Sequence, residues 1–162
     1  PPGNTHKVKF AMEALKRSMK WDEDKYNREY DLDVFNIVAV TNFNAGAMEN
    51  KSLNIFNASA VYADADTATA DDFQWVEGVI YHEYAHNWSG DRVTVRDWFE
   101  LSLKEGFTVR RDHEYSEDMF GAEPTRIDQV EKLRYAQFRE DAGTQSHPVR
   151  PSKTESIDNF YT

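Results

Sequence analysis

Residues 81–109 read YHEYAHNWSGDRVTVRDWFELSLKEGFTV. Within them, His82-Glu83-Tyr84-Ala85-His86 is an HExxH pentad. On a helix, His82 and His86 stand one turn apart on the same face, so two neutral imidazoles can reach one Zn²⁺. Glu83 is turned about 100° away, beside the metal, where it can take a proton from water activated there. Phe73, Val76, Val79 and Ile80 carry helical spacing into the pentad and support the helix independently. Catalytic zinc keeps three protein ligands and one open position. The chain has no cysteine, so the third ligand has to be His or an acid. Glu105 lies in the next predicted helix, with eighteen residues between it and His86. An antiparallel helix packed on the first can bring it to the metal.

Working outward, two strand signals precede the pentad. Val34–Val40 is a short β-branched run, and Ser52–Ala58 sets Leu53 and Ile55 in alternation with Asn54 and Phe56. Between them lies TNFNAGAMENK, residues 41–51, a turn-like stretch with Gly46. Before the strands, Thr5 is placed to cap a helix whose apolar face is Val8, Met12, Leu15 and Met19, with the helix end and a turn falling in 21–30. Asp64–Asp72 is a small, polar loop, and Asp71 or Asp72 can cap the helix that runs to about Trp88. Further helices fit Trp98 to about Tyr115, and Pro124 to Asp141 with a stripe of Ile127, Val130, Leu133, Arg134 and Phe138. Strands first and helices afterwards read as α+β.

Composition bounds the chemistry. The chain has 162 residues, the size of one ordinary domain, and is expected to be a single domain over 1–162. Without cysteine, disulfide scaffolds, thiol nucleophiles and iron–sulfur clusters are excluded. With 29 acidic and 19 basic residues the net charge is −10, which disfavours a nucleic-acid partner and suits a cationic one. Aromatic residues at 14% are too frequent for a disordered chain. No apolar run is long enough to span a membrane, and the first ten residues lack the apolar stretch of a signal peptide. A monomer in the cytoplasm is expected. His6, His113 and His147 read as surface or packing residues, and the glycosylation triplets at Asn57 and Asn87 as accidental.

HExxH, eighteen residues, then Glu resembles the aminopeptidase N family of zinc metallopeptidases. Gly46-Ala47-Met48-Glu49-Asn50 is similar to that family's GAMEN exopeptidase signature. Residues 30–57, 81–109 and 147–162 resemble bacterial-type alanyl aminopeptidases, and the likeness runs from about Met19 to Thr162. The resemblance implies a thermolysin-like core in which His82, His86 and Glu105 bind one zinc ion and Glu83 is the general base. It implies that Glu49 binds the substrate's free α-amine, with the backbone of Gly46, Ala47 and Met48 lying along the substrate in β fashion. Partners are then peptides or aminoacyl compounds with a free N-terminus. Asp112 and Asn87 are candidates to orient a ligand.

The resemblance also marks departures. The family's oxyanion tyrosine is expected beyond Thr162, and Tyr161 does not take its place. Val95 stands where the family commonly has Cys, Arg110 where an apolar residue is usual, and Glu100 and residues 1–10 also look unlike it. A trimmed, re-surfaced catalytic core is the expectation. An inert zinc-binding scaffold and an open-cleft endopeptidase or esterase are the competing readings.

Overall fold

The computed structural model describes residues 2–161. The chain divides into two compact units, Pro1–Val93 and Thr94–Thr162.

In the first unit a 3-10 turn, Thr5–Val8, leads into α1, Lys9–Tyr26. Thr5 does not cap this helix: the residue ahead of α1 is Val8, with no side-chain cap bond. The helix ends within the expected stretch: Asn27 closes it in the left-handed conformation (φ 53°), with its N–H donating to the carbonyls of Asp22 and Glu23. Its buried face is Ala11, Ala14, Leu15, Ser18, Trp21 and Asp22, while Met12 is exposed. The face is therefore rotated from the expected one. The small residues Ala11 and Ala14 let α1 lie close against α2, Ala70–Ala85. Arg17 grips Glu77 of α2 by donating from Nε and Nη2 to its two carboxylate oxygens, and the Tyr81 hydroxyl donates to Asp22 Oδ1 at 2.9 Å.

The sheet has three strands in the order β1-β3-β2. They are β1, Asn36–Val40, β2, Ala47–Met48, and β3, Leu53–Asn57. β3 is central, parallel to β1 and antiparallel to β2, with Ala47 opposite Phe56 and Met48 opposite Ile55. The stretch read as a turn thus contains an edge strand. The inward face of β3 is also the reverse of the apolar alternation: Asn54 and Phe56 are buried and Leu53 is half exposed. Asn54 is tolerated inside because its amide donates to the Asn50 carbonyl and closes the turn into β3. Ser52 (φ 61°) makes that turn in the left-handed region. Phe56 joins Ala11, Ala14, Leu15, Val61, Val76, Ile80 and Tyr84 in one core.

In the second unit, Asp97 accepts from the Phe99 N–H and opens a 3-10 turn, Trp98–Glu100, that runs into α3, Leu101–Phe120. Gly121 (φ 97°) turns the chain into α4, Ala122–Lys132, which packs on α3. Pro124 lies in the first turn of α4, as read. A π-helical stretch, Leu133–Gln137, joins α4 to α5, Phe138–Asp141. The expected stripe here stays largely uncovered: Ile127 and Phe138 are exposed, and Thr125 is the buried residue of α4. Near the end of the chain Phe160 stacks on Trp98 and meets Phe99 edge-on. Arg110 is exposed and pairs with Glu114 at 2.7 Å. No described helix is long and apolar enough to cross a membrane.

Candidate metal centre and its neighbourhood

The helix that carries the pentad is fixed at both ends. At its start Thr69 accepts from the Asp72 N–H, and Asp72 accepts from the Thr69 N–H at 2.8 Å, a reciprocal capping box. The cap is thus Thr69, with Asp72 as its partner rather than the cap itself. Thr69 also holds the Asp72 carboxyl below the usual carboxylate range, by hydrogen bonds to the charged form. At its end the helix stops at Ala85, leaving His86 as the C-cap. The next residues fold back. Asp91, Arg92 and Val93 donate to the carbonyls of His86, Asn87 and Trp88, and Gly90 (φ 138°) permits the tight turn.

That turn orients the His86 ring. The carbonyl of Ser89 lies 2.8 Å from His86 Nδ1. A carbonyl only accepts, so Nδ1 carries the proton and the Nε2 lone pair of the neutral ring points elsewhere. It points at His82: the two Nε2 atoms are 3.1 Å apart, with the rings edge-on at 80°. Two nitrogens at bonds of ~2.0–2.1 Å on one tetrahedral ion lie roughly 3.2–3.4 Å apart. The pair therefore fits two corners of a metal site. His86 is almost fully buried and Glu83 is buried beside it. A backbone carbonyl, that of Ser89, therefore orients His86.

The first unit also brings the GAMEN segment to this helix. β2 packs against α2, and the carbonyl of Gly46 accepts from the Asn57 N–H at 2.9 Å. Because β2 pairs with β3 on one side only, the backbone of Ala47 and Met48 lies at the sheet edge. Such an edge can take an added strand. Glu49, directly after β2, is buried.

Lys51 follows Glu49 by two residues. Its ammonium donates to Asp31 Oδ1 at 2.6 Å and to the Asn87 side-chain oxygen, and stands over the Tyr30 ring. Lys51 holds the Asp31 carboxyl below its ordinary range. Asp31 also faces Arg92 at 3.6 Å, and Arg28 and Arg92 both lie over Trp88. No periodicity or motif marks these residues, because they meet only through folding.

Glu105 stands in the second unit, in the second turn of α3. It is partly buried and pairs with the neighbouring Lys104 at 3.1 Å.

Residues 10–162 match the Peptidase family M1 domain. The chain belongs to peptidase family M1. This M1 chain is 59% identical to the Aminopeptidase N of Caulobacter vibrioides, over 99% of its own length and 19% of that protein's. It is 58% identical to the Aminopeptidase N of Haemophilus influenzae, over 99% of its length and 18% of the relative's. Among solved structures it resembles the Legionella pneumophila aminopeptidase A in complex with aspartic acid. The TM-score is 0.88 at 36% identity, over the whole of this chain and 18% of that one. The M1 chain thus spans about a fifth of the length of these relatives.

Proposed function

We propose that this M1 chain is the core of a zinc aminopeptidase, thermolysin-like in its centre, that hydrolyses the N-terminal bond of peptides and aminoacyl compounds. The observation that carries the reading is the pair of Nε2 atoms of His82 and His86, 3.1 Å apart, on the helix against which the GAMEN strand packs. His82, His86 and Glu105 are assigned as the ligands of one zinc ion. When bound, zinc supplies Lewis-acid polarisation of a carbonyl and makes water more acidic.

The remaining work falls to this chain's own side chains. Glu83 takes a proton from the attacking water at its carboxylate and hands it to the leaving amine. Glu49 holds the ammonium of the substrate's first residue, so that the first peptide bond is the one presented. Gly46, Ala47 and Met48 align the substrate along the free edge of β2. Burial of Glu49 supports this role, since a carboxylate shielded from bulk water attracts a cation more strongly than an exposed one. The acidic balance of the chain fits a cationic peptide terminus better than a nucleic acid. The protein acts as a monomer in the cytoplasm on this reading.

The deciding measurement compares an aminoacyl anilide with its N-acetylated form, with zinc content determined on the same samples. Glu83→Gln is expected to keep its zinc and lose about 10²–10⁴ in kcat. Glu49→Ala is expected to lose the preference for the free amine, and Glu105→Gln to lower the zinc content. Full zinc in the wild type without Glu83-dependent turnover would leave an inert scaffold. Equal cleavage of the blocked anilide would leave an endopeptidase.

A further inference from the structure

We propose that Lys51 is a positioning residue that sets the distance between the GAMEN strand and the metal-binding end of α2. The inference rests on the aminopeptidase reading above. Lys51 comes two residues after Glu49, and its ammonium bonds the side chain of Asn87, the residue after His86. One side chain therefore ties the amine-binding segment to the turn that orients a metal ligand. A second tie runs through Asp31, which accepts from Lys51 at 2.6 Å and faces Arg92 of the same turn. Asn87 is buried, which gives its bond to the ammonium more weight than an exposed pair would have.

The strand needs this second attachment. β2 is two residues long and has one neighbour in the sheet, so its ladder alone resists sliding weakly. An enzyme that grips an amine and cleaves the next bond works at one fixed spacing. A shift of about 1 Å in such a spacing can cost on the order of a hundredfold. Lys51 bonds across that spacing, while neither Glu49 nor the histidines need change chemically if the tie is lost.

The test is calorimetric binding of an α-amino hydroxamate and its des-amino counterpart to the zinc-loaded 162-residue chain. The ratio of the two Kd values reports how well amine and metal are engaged at once, independently of the active fraction. Lys51→Met is expected to reduce that ratio about tenfold, with the des-amino Kd and the zinc content unchanged. Asp31→Asn, on a partly exposed side chain, is expected to reduce it by a smaller factor, and it carries the test if Lys51→Met does not fold. An unchanged ratio, or an equal weakening of both ligands, would overturn the positioning role. A wild-type ratio of one would instead overturn the amine-binding reading of Glu49, and this proposal with it.

Discussion

Residues 1–93 bury Phe56, Val76, Ile80, Tyr84 and Leu15 in a single core, whereas residues 94–162 leave Leu103, Phe107, Ile127, Tyr135 and Phe138 exposed. Both units contain amphipathic helices with clear apolar spacing. The difference lies in what each helix meets. α2 has α1 and the sheet against it in its own unit, and its periodic residues are covered. The stripe of α4 has the same period and little cover, since Thr125 is the residue of that helix that is buried. Apolar periodicity marks a face; whether the face is closed depends on segments far away in sequence.

Substitutions in the two units should break or confirm this contrast. The largest effect is expected for Phe56→Ala, at about 3–5 kcal/mol, because it opens a cavity where no side-chain surface is exposed. The matching change in the second unit, Ile127→Ala, removes a side chain that is 60% exposed and should cost under about 1 kcal/mol. Urea unfolding of both variants measures the pair, and equal losses would erase the distinction.

A smaller effect probes how α2 is held. Thr69→Ala removes one half of the capping box and should cost about 1 kcal/mol. Thr69→Ser keeps the hydroxyl and should recover most of it. Thermal melts of the two variants decide, and identical melting points would mean that the cap contributes nothing beyond α2's tertiary contacts.

The smallest effects are in pH dependence, and they separate the units. Burial foremost, with Lys132 next, holds His113 of the second unit below its ordinary value of 6.5. A lowered histidine favours the fold above the unfolded value, so this contribution is complete above about pH 6.5 and is lost as the pH falls through the lowered folded value. Asp31 of the first unit is lowered chiefly by its hydrogen bond from Lys51. Its contribution is complete above the ordinary 3.8 and is lost only at more acid pH. His113→Gln should therefore flatten the melting point between pH 7 and 5 and leave the acid limb in place. An unchanged slope in that variant would refute the assignment.

The candidate metal centre was legible because its signal is local. His82 and His86 are four residues apart on a helix whose apolar spacing runs into the pentad, and 3.6 residues per turn puts them together whatever surrounds them. GAMEN was legible only as a resemblance, since a two-residue edge strand carries no periodicity. The alternation in β3 does not reveal which face turns inward. Asn54 is buried because its amide closes the neighbouring turn, which hydropathy cannot register. The rotation of α1's face follows from the close approach that Ala11 and Ala14 allow, so small residues took the core positions that Met12 was expected to share.

Local signals were enough for the helix of the pentad, the His82–His86 pairing, the limit of ligands to His and acids, and the family likeness. These follow from chain period, composition and motif order, which need no knowledge of distant contacts. Folding was needed to set which helix faces are buried, to make Ala47 and Met48 a sheet edge, to let Ser89 select the tautomer of His86, and to bring Lys51 to Asn87 and Asp31. Each of these depends on a turn, cap or close approach that brings separated segments together, and no local spacing encodes where such a contact will fall.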